Sequence, residues 1–265
     1  MLPLSLQGTT AVVTGGSSGI GLATAELFLA AGADIAICGR DAERLQRAEA
    51  GLRKQFPESK LLARTCNVLE PAQVQAFAAV VEAELGAAGI LVNNAGQGRV
   101  STFADTTDAA WTEELHLKFF SVIHPTRAFL PQLKTRANPA IVCVNSLLAA
   151  QPEPHMVATS AARAGLKNLV RSLATEFAPH GIRVNGILIG LVESGQWRRR
   201  FEARENRAET WEQWTGALAE RKRIPLKRLG LPKEAAQAIF FLATPLSSYT
   251  TGAHIDVSGG LSHHA

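Results

Sequence analysis

The residues best placed to do chemistry come early, in the run Thr14-Gly15-Gly16-Ser17-Ser18-Gly19-Ile20-Gly21. It follows a short apolar segment and opens a stretch of helical periodicity, the context in which a glycine spacing becomes a specific signal. Glycines let the backbone come close to an anion, and a helix N-terminus presents unpaired N–H groups and a positive dipole end. Gly15, Ser17, Ser18, Gly19, Ile20 and Gly21 are therefore expected to cradle the pyrophosphate of a dinucleotide. At the end of the second apolar segment, where a protein specific for NAD places an acid on the adenosine ribose, stands Gly39-Arg40. A guanidinium forks onto a 2′-phosphate, and Gly39 leaves it room, so NADP(H) is the expected cofactor and NAD(H) the less favoured one. Asp41, one position on, keeps that second option open.

The elements that must position such a loop are legible as well. Short apolar runs at 10–13, 34–38, 61–67, 90–93, 140–145, 182–188 and 254–257 predict seven buried strands. Between them, 22–31, 42–55, 72–85, 109–133, 159–178 and 233–242 carry apolar residues three and four apart, as layer helices do. Strands alternating with helices give an α/β fold: a Rossmann-like, doubly wound, seven-stranded parallel sheet with helices on both faces. With 265 residues, no repeat and no linker, a single domain covering 1–265 is expected. One segment breaks the rhythm. Residues 195–224 are strongly charged and hold three of the four tryptophans, Trp197, Trp211 and Trp214. A helical lid over a ligand cleft is the preferred reading, and a helix docked on a partner subunit the other.

Composition excludes several classes. A net charge of +4 from 27 basic and 23 acidic residues, with 46% hydrophobic residues, describes a globule rather than a disordered or nucleic-acid-coating chain. The start carries no secretory signal pattern and no apolar run is long enough to span a bilayer, so a cytoplasmic protein without a membrane partner is expected. Cys38, Cys66 and Cys143 are odd in number and far apart, which fits neither a disulfide framework nor a metal site; they read as buried strand residues. His263 and His264 sit in a tail.

With the glycine loop, Asn93-Asn94-Ala95-Gly96, the region of Ser146, and the closing Thr251-Gly252 and Gly259-Gly260, the chain resembles the short-chain dehydrogenase/reductase family from about residue 10 to 261. The resemblance implies that Asn94, Ala95 and Gly96 neighbour the nucleotide and that Asn67-Val68 stands where the family has an Asp-Val pair near the adenine. It also implies that Gly190 and Val192, in the segment 189–194, help hold the nicotinamide carboxamide. Family members pair a hydride donor with a proton source: a tyrosine, a lysine one helical turn later, a serine and an asparagine. Here the serine is Ser146, but the tyrosine position holds Thr159, the lysine position Arg163 and the asparagine position Lys118. The single tyrosine, Tyr249, falls outside these positions.

Thr159 can hydrogen-bond an oxygen, yet an aliphatic alcohol is a far weaker acid than a phenol. Arg163, with a pKa expected above about 12, suits anchoring of the nicotinamide ribose better than proton transfer; a surface arginine is the plain alternative. Lys118 is the candidate general acid, because an ammonium in a desolvated cleft beside another cation loses basicity. Its other possible fate is to lead its charge out to solvent. His155 is a reserve donor. Two functional readings remain open: an NADP(H)-dependent oxidoreductase interconverting a carbonyl and an alcohol of some apolar bulk, and a catalytically silent NADP(H)-binding sensor or partner subunit. By resemblance a homo-oligomer, specifically a homotetramer, is expected.

Overall fold

The protein is described here by a computed structural model covering residues 5–204 and 207–262; the tail histidines His263 and His264 lie outside the described residues. Seven strands form one parallel sheet: β1 (Thr10–Thr14), β2 (Asp34–Gly39), β3 (Leu61–Thr65), β4 (Ala88–Asn93), β5 (Ala140–Ser146), β6 (Arg183–Ile189) and β7 (His254–Val257). Their order is β3-β2-β1-β4-β5-β6-β7, as expected of a doubly wound sheet. Strands buried on both faces need unbroken apolar runs, and all five residues of β1 are buried.

Among the described residues there are eight α-helices, α1 (Gly19–Ala30), α2 (Ala42–Gln55), α3 (Pro71–Leu85), α4 (Asp108–Leu133), α5 (Val157–Phe177), α6 (Gly195–Glu202), α7 (Trp211–Arg221) and α8 (Pro232–Ala243), and all but α6 and α7 cover the sheet. One apolar core joins β1, β2, β4 and β5 to Phe77, Phe129, Leu166 and Val170 of α3, α4 and α5. The other lies on the opposite face, under Phe28, Leu52 and Ile239 of α1, α2 and α8. The three cysteines are buried free thiols.

Three expected boundaries move for local reasons. β3 ends at Thr65, not at 67, because Asn67 Oδ1 accepts from Leu69 N–H at 3.2 Å and Gln73 Oε1 accepts from Asn67 N–H at 2.9 Å, turning the chain into α3. Helix α1 begins at Gly19, so the last glycine of the loop belongs to its first turn. Helix α5 starts at Val157, which puts Thr159 inside its first turn rather than at its end.

The strands β1 and β4 diverge in connectivity, and the cleft opens above their C-terminal ends. There Gly16 N–H bonds Cys38 O at 3.1 Å, tying the loop after β1 to the end of β2. Helices α6 and α7 are separate from the sheet layers. Trp211 is buried, stacks on Trp214 and meets Phe201 edge-on at 5.3 Å, and the Arg198 guanidinium lies 3.7 Å from its ring centre. Thr210 and Gln213 form a reciprocal capping box that starts α7. This pair of helices packs on the segment after Ser146: Leu147, Leu218, Ala219, Ile224, Leu229 and Leu261 form a third apolar cluster, with Trp197 and Trp214 against it. Among the described residues no helix is long and apolar enough to cross a membrane.

Candidate active site

The glycine loop is fitted to its place by backbone. Gly15 has φ +67°, a left-handed conformation that side chains disfavour. A Cβ on Gly21 would stand 2.3 Å from the Gly15 carbonyl oxygen and 2.5 Å from Asn94 Nδ2, so only glycine allows the helix to close on the loop. Asn94 holds the same turn by donating its amide to Thr14 O at 2.9 Å and Gly15 O at 3.2 Å, while its own N–H and that of Ala95 donate to Thr14 Oγ1. Asn94 and Ala95 thus face the loop across the cleft floor, and Gly96 follows at an exposed position. Ser17 is buried and Ser18 exposed at the start of α1, with Gly19 and Ile20 half-buried after them.

A Cβ on Gly39 would come within 3.1 Å of Ser17 Oγ, and Arg40 beyond it is exposed and without an ion-pair partner among the described residues. Asp41 is committed elsewhere: it caps α2 by accepting from Arg44 N–H at 2.9 Å, a bond that also lowers its pKa. Asn67 spends its side-chain oxygen on the turn before α3, and Val68 packs in the core. On the far side, Gly190 touches Ser258, where a Cβ would sit 2.8 Å from the serine Cβ. The bridge between Val192 and Gly230 uses the peptide groups of Leu191 and Glu193, leaving the Val192 N–H directed the other way. These features fit a dinucleotide along the strand ends.

The reacting end is made from side chains on two packed helices. Residues four apart share a helix face, so α4 presents Glu114 with Lys118 and α5 presents Thr159 with Arg163. Lys118 and Glu114 are each only 3% exposed and pair at 2.6 Å; Lys118 Nζ also donates to Gln97 O at 2.5 Å. Thr159 Oγ1 bonds the same Glu114 oxygen and accepts from Arg99 N–H at 3.0 Å. A second pair forms at the end of β5. The fully buried Asn145 accepts from Ser146 N–H at 2.9 Å and from Arg163 Nη1 at 3.2 Å, and donates to Arg163 O at 3.0 Å. Ser146 Oγ accepts from Leu148 N–H at 3.3 Å, which leaves its hydroxyl hydrogen for another acceptor.

The four residues matched to the family's tetrad are therefore held as two pairs, Lys118 with Thr159 through Glu114, and Ser146 with Arg163 through Asn145. Charge couples the pairs. Burial, and then the Arg163 cation, push the Lys118 ammonium down to about 8, against the opposing hydrogen bond and charge of Glu114. Burial lowers Arg163 to about 10, below the range expected from its type, and its Nε is buried without a partner. Neither cation leads to solvent as a surface residue would. His155 does: its ring is half exposed and sits 3.1 Å from Glu153 Oε2, which also pairs with Lys222 of the 195–224 segment at 2.8 Å.

A cavity of about 340 Å³ lies between the loop after β4, the first turns of α4 and Arg40, lined among others by Leu69, Gln97, Arg99, Glu114 and Leu117. Lys118, Ser146, Thr159 and Arg163 stand outside its lining, which reaches the site at Glu114. Sequence reasoning alone singles out neither Glu114 nor Asn145. A signal for Glu114 is nonetheless present: an acid one turn before a lysine expected to be buried, since a buried ammonium needs a counter-charge.

Comparison with known proteins agrees with this architecture. A family model described as enoyl-(acyl carrier protein) reductase matches residues 15–262. The short-chain type dehydrogenase/reductase y4mP of Sinorhizobium fredii is 35% identical, over 98% of this chain and 99% of its own. An NADPH-bound short-chain oxidoreductase from Pseudomonas aeruginosa PAO1, described as containing an atypical catalytic center, is 71% identical over 99% of this chain and all of its own, with a TM-score of 0.96. L-Sorbose reductase from Gluconobacter frateurii, solved with NADPH and L-sorbose, is 31% identical over the whole of both chains, with a TM-score of 0.94. The chain belongs to the short-chain dehydrogenase/reductase family of oxidoreductases.

Proposed function

We propose that the protein is an NADP(H)-dependent oxidoreductase that interconverts a carbonyl and an alcohol on a small molecule with apolar bulk, using Lys118 as the proton donor and acceptor. The observation that carries this reading is the buried Lys118 ammonium: it is paired with Glu114, faces a second cation, and is lowered to about 8, where it can give and regain a proton near neutral pH. The nicotinamide, when bound, supplies or takes the hydride.

Ser146 offers its hydroxyl hydrogen to the substrate oxygen, and Arg163 holds the nicotinamide ribose through its unpartnered Nε. The preference for NADP(H) over NAD(H) rests on Arg40, exposed and unpaired after Gly39, and on Asp41 being spent as a helix cap. NADPH in the two structural relatives supports the same choice. Helices α6 and α7 act as a lid, since Trp197 and Trp214 pack against the apolar cluster that contains Leu147, next to Ser146; their apolar surface favours a substrate with apolar bulk.

The reading is tested by following NADPH oxidation by the pure protein with a panel of ketones and aldehydes of increasing apolar size, alongside Lys118→Ala. Turnover abolished in Lys118→Ala with NADPH affinity kept supports the assignment. Tight NADPH binding with no turnover on any panel member favours the catalytically silent binding protein instead.

A further inference from the structure

Glu114 touches two of the four residues that the family resemblance marks, and is itself none of them. On an exposed helix face a glutamate four residues before a lysine adds a few tenths of a kilocalorie and calls for no explanation. Here both side chains are 3% exposed, in a position where an apolar residue would be cheaper to bury.

The hydrogen bonds around it are accountable atom by atom. Lys118 Nζ has three hydrogens; one goes to Gln97 O and one to Glu114 Oε1, which leaves the third unspent. Thr159 Oγ1 accepts from Arg99 N–H, and its one hydrogen can serve either Glu114 Oε1 or Arg99 O at 3.2 Å. The charged oxygen is the nearer and the stronger acceptor. The Thr159 hydroxyl is thereby turned onto Glu114 and away from a reacting oxygen. Its part is to fix the carboxylate from the neighbouring helix.

We propose that Glu114 is the positioning residue of this site: it holds the Lys118 ammonium with one N–H left for a substrate oxygen, and it sets the pH range over which that proton can be delivered. The inference rests on Lys118 as proton donor. In the reductive direction the carbonyl carbon gains hydride, the substrate oxygen takes a proton from Nζ as that N–H bond breaks, and Lys118 is left as a neutral amine. Glu114 stays a carboxylate throughout, and water returns the proton to the amine. The charged groups facing Lys118 are Glu114 on its own helix, Arg163 from α5 and Arg99 from the loop after β4. Only the first favours the ammonium. Removing its charge leaves burial and two cations acting in one direction, so Lys118 would lose its proton at lower pH.

The experiment is a titration of the lysine Nζ by NMR in the intact protein with NADPH, comparing wild type, Glu114→Gln and Glu114→Asp, with Lys118→Gln to assign the signal. The same proteins are assayed for pH-dependent turnover. In Glu114→Gln the Lys118 midpoint should fall by about one to three pH units, and the high-pH limb of kcat should move with it while KM for NADPH stays unchanged. Glu114→Asp, which keeps the charge but draws it back by one methylene, should shift both in the same direction by less. An unmoved Lys118 midpoint in either variant, or a kcat that falls by one factor at every pH, would overturn the proposal. Turnover that survives Lys118→Gln would overturn the assignment of the donor, and the NMR midpoint separates that failure from a failure of Glu114.

Discussion

The two ends of the cleft are built from different material. The proposed phosphate end is made of backbone: Gly15 in a left-handed conformation, Gly21 against the Gly15 carbonyl, and N–H groups at the start of α1. The proposed reacting end is made of side chains that meet across two helices and the tip of β5, in the sets Lys118–Glu114–Thr159 and Ser146–Asn145–Arg163. The difference teaches why one end matches its family residue by residue and the other does not. A backbone cradle depends on the absence of side chains, so a single added methyl group meets a fixed oxygen. A side-chain cluster depends on balanced charge and filled hydrogen bonds, so it can be exchanged as a set. Three positions differ from the family's tetrad, and a carboxylate beside them balances the cations they introduce.

The largest effect should come from breaking that balance. Glu114→Ala leaves a buried ammonium without its partner and should cost about 3–5 kcal/mol of stability in urea unfolding. The pair Glu114→Leu with Lys118→Met should return most of that stability and abolish turnover. A single-variant loss no greater than that of a surface pair, about 0.2–1 kcal/mol, would break the contrast between the two ends. A smaller loss is expected at the phosphate end: Gly21→Ala should cost about 1–3 kcal/mol, read as weaker NADPH binding or a lower unfolding midpoint. Gly51 in α2 is its control. A Cβ there meets nothing within 4 Å, so Gly51→Ala should leave binding alone and gain up to about 1 kcal/mol of helix stability. Most selective is Arg40→Gln, which should narrow the affinity ratio of NADPH over NADH by about tenfold without touching turnover at saturating cofactor.

Local patterning accounts for much of this architecture. Helix α2 and strand β7 run over the residues expected of them, because a helix with apolar positions three and four apart and an Asp cap, or an edge strand before a closing glycine pair, is decided within a few residues. The end of β3 is not legible in the same way, since Asn67 and Gln73 compete locally with the ladder and nothing in an apolar run announces it. Of the candidate site, the family resemblance names Ser146, Thr159, Arg163 and Lys118 but not how they are held. Glu114 is the plainest case. In the sequence it is one more acid on a charged helix turn.

By itself, then, the sequence determined the alternation of strands and helices and the glycine turn, because periodicity and turn chemistry act over neighbours in the chain, while the residues of the proposed reacting end were named only through the family resemblance. Tertiary structure alone decided that Glu114 lies 3% exposed between Lys118 and Thr159, that Asn145 joins Ser146 to Arg163, and that Lys118 is lowered to about 8. Burial and electrostatic pairing are set by which surfaces meet when α4 packs on α5, and that depends on groups separated by 45 positions in the chain.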